Sequence, residues 1–245
     1  MPLNLRARAT QNAAVEQTSA GWKLSLRGGN AAQYRNAQLD DYSSLPRGRF
    51  PHTALTLKLR ARVSARNLPG TWGFGLWNDP FGLSLGFGGA PLRLPTLPNA
   101  AWFFHASKEN YLSFQAHQPA HGFLAQSFCA PKFHPLLAAA GLALPFSRRA
   151  ARNLLGSVIA EDGAALGVDS AEWHSYQIAW SRRRVSFCVD EVEVFESSIS
   201  PNPPLGVVIW MDNQFAAFTP QGKLSAGTLA NDAAWLEVEN LETPL

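Results

Sequence analysis

Three side chains in this sequence could transfer protons if folding brings them together: His105, Glu109 and Asp212. His105 stands in the aromatic run AAWFFHA, and a neutral imidazole can act near physiological pH. Glu109 follows in SKENY, where an inward position would raise its pKa toward acid/base use. Each residue also has a structural interpretation, as a core histidine, a loop carboxylate and a cap at a strand end. The pattern therefore permits acid/base catalysis without requiring it.

A second set of residues is suited to holding a ligand without reacting with it. In the run TWGFGLW, Gly75 and Trp77 fall on one face of a strand. Glycine lets a ligand approach the backbone, and tryptophan can stack on a sugar ring or an apolar molecule. The predicted ligand-binding residues are Gly75, Trp77, Trp102, His105, Asp212 and Asn213. The alternative, that the glycines relieve crowding and Trp77 is core, stays open.

Short apolar or alternating runs between glycines and prolines predict an all-β fold. The clearest is Ala54–Ser64, which places apolar residues on one face and basic residues on the other. The other predicted strands are Gly21–Leu26, Thr71–Trp77, Phe81–Phe87, Ala100–Ala106, Tyr111–Ala116, Gly122–Ser127, Ser175–Trp180, Val185–Val189, Val192–Glu196, Gly206–Met211 and Ala234–Asn240. With neither repeat nor linker, we expect one domain over residues 1–245, with 1–20 as a loosely ordered arm.

The segment WHSYQIAWSRRRVSFCVDEVEVFE, residues 173–196, predicts two strands joined by a tight turn. It resembles the W/F-H-x-Y-x-x-x-W…V-x-F-x-V-D-G strand pair of family-16 glycoside hydrolases and related concanavalin A-like proteins. The resemblance implies a jelly-roll sandwich of two antiparallel sheets, with a concave face that holds a glycan in relatives. Glu191 stands where the family usually has glycine, and a non-glycine residue resists positive φ. We therefore expect another turn type here.

Family-16 glycoside hydrolases cleave glycans with an E-x-D-x-E strand. Retaining hydrolysis needs two carboxyl groups about 5–5.5 Å apart. This sequence contains no such triplet, and Ala100–Ala106, the strand we would place there, has no carboxylate. Glu191 and Glu193 lie on the hairpin and are interpreted as a solvated edge. The first hypothesis is thus a non-hydrolytic protein that binds a carbohydrate or an apolar small molecule. The alternative is a cytoplasmic enzyme with non-glycosidase acid/base chemistry on a hydrophobic substrate.

One segment, Pro135–Glu161, departs from the β pattern. Its second half predicts a helix with Ser147 as N-cap and an apolar stripe formed by Ala151, Leu154, Leu155 and Val158. Arg148, Arg149 and Arg152 are expected mostly off this stripe. We expect the insertion to pack on its own domain as a lid over the concave face. Contact with a membrane surface is a less favoured alternative.

The composition and charge of the chain argue against several other classes of protein. A formal charge of +3 with dispersed arginines does not indicate nucleic-acid binding. The amino terminus lacks the apolar core of a secretory signal, so a cytoplasmic location is expected. Cys129 and Cys188 show no disulfide or zinc spacing, and His117, His121 and His134 match no metal motif. No metal or cofactor is predicted, while ligand identity and oligomeric state stay open.

Overall fold

The computed structural model describes residues 3–80, 96–131 and 147–244, which form two seven-stranded antiparallel sheets and one small hairpin. The strands are β1 Arg6–Ala9, β2 Ala13–Gln17, β3 Gly21–Leu26, β4 Asn36–Asp40, β5 Leu55–Val63, β6 Thr71–Trp77, β7 Ala100–Ala106, β8 Gly122–Cys129, β9 Ala160–Ala165, β10 His174–Trp180, β11 Val185–Val189, β12 Val192–Ser197, β13 Gly206–Asp212, β14 Gln214–Phe218, β15 Leu224–Thr228 and β16 Ala234–Glu242. A short 3-10 turn covers Arg47–Arg49, and the helix α1 covers Arg148–Val158.

Sheet A has the strand order β1-β4-β13-β6-β7-β8-β9, and sheet B has the order β12-β11-β10-β5-β16-β3-β2. Their facing sides form the main core. Leu57, Leu59 and Val63 of β5 pack there with Phe74 and Leu76 of β6. Because side chains alternate along a strand, every second residue of sheet A points away from this core. We call the surface that these residues form the outer face of sheet A. The sandwich predicted from the sequence is confirmed.

Most predicted strands within the described ranges are confirmed, but two predictions need correction. Tyr111–Ala116 is no strand, since Tyr111 makes only a single bridge to Ala217. Residues 6–17, expected within a loosely ordered arm, form β1 and β2 at the edges of the two sheets. Their sequences, RARA and AAVEQ, carry little apolar signal, so only pairing with β4 and β3 reveals them. The predicted Phe81–Phe87 lies outside the described residues.

The hairpin of β10, β11 and β12 confirms the strand pair, but its turn differs from our expectation. Val189 pairs with Val192, which leaves Asp190 and Glu191 as a two-residue loop. Their φ angles are 50° and 67°, so both adopt the positive φ that such turns require. The Asp190 carboxylate lies 2.6 Å from His174 Nδ1 and accepts a 2.9 Å hydrogen bond from the Ser175 amide. These contacts hold the turn without a glycine. Glu191, in the turn before the edge strand β12, and Glu193, within β12, are both exposed, as predicted.

Helix α1 begins where the sequence places it, and the Ser147 hydroxyl accepts a 3.2 Å hydrogen bond from the Ala150 amide. Arg152, expected mostly off the apolar stripe, is nevertheless buried, with only 3% of its surface exposed. Residues 132–146, which include the first half of the proposed lid, lie outside the described residues. Within the described ranges, no helix combines the length and apolarity needed to cross a bilayer.

Candidate ligand-binding face

The outer face of sheet A brings together four rings from its three central strands. They are Trp210 of β13, Trp77 of β6, and Trp102 and Phe104 of β7, and we call them the aromatic cluster. The Trp77 and Trp210 rings stack with centroids 5.9 Å apart and planes 6° apart. Trp102 and Phe104 each lie 5.7 Å from Trp210. The two predicted binding residues Trp77 and Trp102 are therefore neighbours.

The glycines of β6 make room for this cluster. A Cβ atom at Gly73 would lie 2.8 Å from Trp210 Cη2, and one at Gly75 would lie 2.7 Å from Trp102 Cβ. Both would also come within 2.4 Å of a β7 carbonyl oxygen. Close protein atoms account for these glycines, first the backbone of β7 and then the Trp210 and Trp102 side chains. The crowding interpretation of Gly75 is favoured, and a ligand contact there stays a prediction.

The aromatic cluster is largely covered, unlike an open sugar-binding groove. Trp102 and Trp210 expose only 6% and 7% of their surface, whereas Trp77 is half-buried. The cluster belongs to a second hydrophobic core, which includes Tyr42, Phe50 and Leu97 from loops, Ile159, and Leu155 and Val158 from α1. The half-buried Trp77 is therefore the ring of the three tryptophans that a ligand reaches most directly.

Asp212 lies on the same outer face, next to the aromatic cluster. Its carboxylate accepts hydrogen bonds of 2.8 Å from the Thr71 hydroxyl and 3.1 Å from the Gln214 amide. The Trp210 indole nitrogen in turn donates to Thr71 Oγ1 at 3.0 Å. Burial raises the pKa of Asp212 to about 7. The structure thus places a carboxyl group that exchanges protons near neutral pH beside the rings.

His105 lies on the opposite face of β7 from Trp102. It pairs with Trp72, and its ring stacks on Trp72 in the main core at 5.5 Å. Its Nε2 donates to the Leu68 carbonyl at 3.1 Å, and burial lowers the pKa of the imidazole. Residues of odd and even number along AAWFFHA face opposite sides, so His105 cannot share the outer face with Trp102. Its expected place beside the ligand needs correction.

The predicted pair of His105 and Asp212 is consequently not assembled. His105 and Asp212 face opposite sides of sheet A, and Glu109 is partly exposed in the loop after β7. Asn213 is fully buried, and its amide nitrogen donates to the Gln33 and Leu229 carbonyls at 2.9 and 2.8 Å. Its oxygen accepts from the Arg35 amide at 2.8 Å. Asn213 therefore fastens loops together, which corresponds to the capping alternative.

Two buried carboxylates on this face were missed from the sequence. Asp40 of β4 is fully buried, with an ion pair to Arg8 at 3.2 Å and a 2.9 Å hydrogen bond from Gln38. Glu161 of β9 accepts 2.8 Å hydrogen bonds from the Phe114 and Gln115 amides. The run QLDDY alone gives no signal that Asp40 turns inward. Glu161 likewise stood in a segment assigned to a helix.

These acids do not form a hydrolytic pair with Asp212. Asp40 is opposite Val208 on β13, four residues from Asp212, an offset of about 13 Å along the strand. Glycoside hydrolysis uses carboxyl separations of about 5–9.5 Å. Glu161 lies still farther away, on the edge strand β9. In the part of the chain that the structure describes, no three His, Cys, Asp or Glu side chains gather as a metal site.

Comparison with solved structures supports the architecture. A β-glucanase from Bacillus licheniformis has a TM-score of 0.51 and 12% identity, with 98% of this chain and 92% of that chain covered. A family-16 endo-glucanase from Bacteroides ovatus has a TM-score of 0.51 and 9% identity, with 97% and 94% covered. No family model and no curated protein matches the sequence. At these identities the likeness concerns the fold, and it confirms the jelly-roll sandwich of family-16 glycoside hydrolases.

Proposed function

We propose that this protein binds its ligand without hydrolysing it, on the outer face of sheet A beside Trp77. The observation that carries the proposal is the aromatic cluster together with the separation of Asp40 from Asp212, about 13 Å along the strand, which is too great for glycoside hydrolysis. Aromatic rings supply large contact areas for apolar molecules and for the flat faces of sugars. A glycan ligand is consistent with the fold, since the similar solved structures include glucanases.

An apolar small molecule fits the surroundings of the aromatic cluster better than a long glycan. The central positions of this face carry rings and aliphatic side chains, and Trp102 and Trp210 are nearly enclosed. A polymeric sugar needs an open groove with many polar partners along it, whereas an enclosed apolar site suits a compact ligand. The ligand would contact Trp77. Asp212 lies six residues along β13 from Gly206, the partner of Trp77, an offset of about 20 Å, so a compact ligand at Trp77 would not reach this carboxyl group.

Tryptophan fluorescence tests this proposal with two probes, a β-glucan oligosaccharide and the apolar dye Nile red. We expect saturable binding of one probe and about tenfold weaker binding in Trp77→Ala, since a stacking ring is lost. Trp235→Ala is the matched control, because Trp235 lies on β16 in sheet B and faces away from the main core. Release of reducing sugar from β-glucan, or equal affinities in all three proteins, would contradict the proposal. Mass spectrometry of small molecules that co-purify from the native host would identify the ligand.

An enzyme is the second candidate, and the environment of Asp212 favours it. A buried carboxyl with a pKa of about 7 can donate or accept a proton near neutral pH. His105 faces the main core instead of this face, and a role for Glu109 stays a prediction. Turnover of a bound ligand that Asp212→Asn abolishes, with binding intact, would support an enzyme. Turnover unaffected by this substitution would exclude Asp212. The cytoplasmic location stays a prediction.

A further inference from the structure

A separate cavity lies between α1 and the loop that follows β7. Its volume is about 370 Å³, and it is lined by Phe114, Gln115 and Ala116 from the loop and by Arg152, Asn153 and Ser157 among others from α1. Among the described lining residues, Arg152 is basic and none is acidic. The described lining of the cavity therefore carries a net positive charge.

Arg152 is held in place by carbonyl groups and has no partner of opposite charge among the described residues. Its Nε donates to the Phe218 carbonyl at 2.8 Å, and its Nη2 donates to the Ser113 carbonyl at 2.9 Å. The guanidinium also lies over the Tyr111 ring, 5.6 Å from its centroid. None of the described carboxylates comes within ion-pair distance of it.

The remaining nitrogen, Nη1, is the hydrogen-bond donor that Arg152 can offer to a ligand in the cavity. No described residue accepts a hydrogen bond from Nη1, although Arg152 lines the cavity. A buried cation without a counter-charge is costly, and a bound anion removes that cost. Glu161 is linked to Arg152 only through Ser113, whose carbonyl accepts from Arg152 and whose hydroxyl donates to Glu161. The Glu161 carboxylate also accepts hydrogen bonds from the Phe114 and Gln115 amides.

Arg35 shows what a purely structural buried arginine looks like in the same protein. Its Nη1 donates to the Asn30 and Gln33 carbonyls and to Asn231 Oδ1, at 3.0–3.2 Å. Arg35 does not line this cavity. The two arginines differ in their access to a cavity. Arg152 lines one, whereas Arg35, whose Nε and Nη2 also have no acceptor among the described residues, does not.

We propose that this cavity binds a small oxyanion, the carboxylate or phosphate group of a small molecule, through Arg152. A guanidinium presents N–H groups in a planar fork that matches either group. Gln115, Asn153 and Ser157 add polar atoms around the cavity. The C-terminal turn of α1, at Gly156 and Ser157, carries partial negative charge and opposes an anion. Binding therefore depends on Arg152. This site is distinct from the aromatic cluster and does not rest on the proposed function.

Titration with sodium phosphate and with sodium acetate tests the site, at constant ionic strength set by sodium chloride. We expect one of these anions to raise the unfolding temperature saturably and to give a binding isotherm by calorimetry. The anion that binds distinguishes a phosphate site from a carboxylate site. Arg152→Gln should weaken binding tenfold or more, since it removes the charge. Arg149→Gln, on the exposed side of the same helix, is the matched control and should bind as the wild type does.

Arg152→Gln could prevent folding, because Arg152 also donates hydrogen bonds to two backbone carbonyl groups. A second variant therefore tests the cavity without changing Arg152. Ser157 is exposed and lines the cavity, so Ser157→Tyr should fill the cavity while leaving Arg152 in place. It should abolish anion binding in a folded protein. The proposal is overturned if neither anion acts saturably on the wild type. It is also overturned if Ser157→Tyr retains wild-type affinity, or if Arg149→Gln loses binding as well.

Discussion

Substitution of Asp212 by asparagine should remove the pH dependence of stability that this carboxyl group imposes. Burial raises the pKa of Asp212 from 3.8 to about 7 in the folded protein. Below pH 4 both the folded and the unfolded state hold the proton. Between about pH 4 and 7 the unfolded carboxyl ionises while the folded one keeps its proton. The unfolded state then binds fewer protons, so the free energy of unfolding falls as the pH rises.

The size of this effect follows from the same two pKa values. About 1.4 kcal/mol for each pH unit between 3.8 and about 7 gives a loss of up to about 4 kcal/mol by pH 8. Asparagine does not ionise, and its carbonyl oxygen can still accept from the Thr71 hydroxyl and the Gln214 amide. Asp212→Asn should therefore match the wild type near pH 4 and exceed its stability by up to about 4 kcal/mol at pH 8.

Urea unfolding at pH 4, 6 and 8 measures this difference. Other titrating groups, such as His105 and Asp190, are shared by both proteins and cancel in the comparison. A stability difference that does not change between pH 4 and 8 would refute the argument. So would a wild type that gains stability over Asp212→Asn as the pH rises, because that would mean an ionised carboxylate is favoured in the folded state.

Three further substitutions test the packing and the hairpin. Gly73→Ala should destabilise the protein by about 2 kcal/mol through overpacking against Trp210, whereas Gly48→Ala, with open space around it, should be near neutral in the same urea assay. Glu191→Gly should raise the free energy of unfolding by about 0.5 kcal/mol, because glycine adopts the positive φ at this position without strain. Glu193→Gly, within β12, is the control and should lower the free energy of unfolding. Equal effects of the two substitutions would contradict this reasoning. Asp190→Asn should destabilise at pH 7. The hydrogen bond to His174 lowers the pKa of Asp190, so the difference in stability between the wild type and Asp190→Asn should fade as the pH falls below about 4. A stability difference that persists at pH 2 in acid unfolding would argue against this role of the carboxylate.

Local patterns in the sequence were enough to predict the frame of this protein. Alternation in Ala54–Ser64 identified β5 and its buried side, because its two faces differ sharply in polarity. Ser147 marked the start of α1 through a capping interaction that spans only three residues. The hairpin of β10 and β11 was recognisable for the same reason, since its pairing partners are close along the chain.

The candidate site depended on contacts that sequence patterns do not contain. The run AAWFFHA is apolar on both faces, so only its pairing with β6 places Trp102 outward and His105 inward. Asp40, Glu161 and Arg152 become buried through partners from distant segments, and a polar residue type by itself predicts exposure.

The sequence alone thus determined the sandwich, its strongest strands and the absence of an E-x-D-x-E triplet, because these follow from residue order and short-range periodicity. Only the tertiary structure decided which rings share a face, how far they are covered and which carboxylates stand beside them. Those properties arise from strand register and from loops packed across the sheet, and a one-residue change in register would exchange the two faces of every strand.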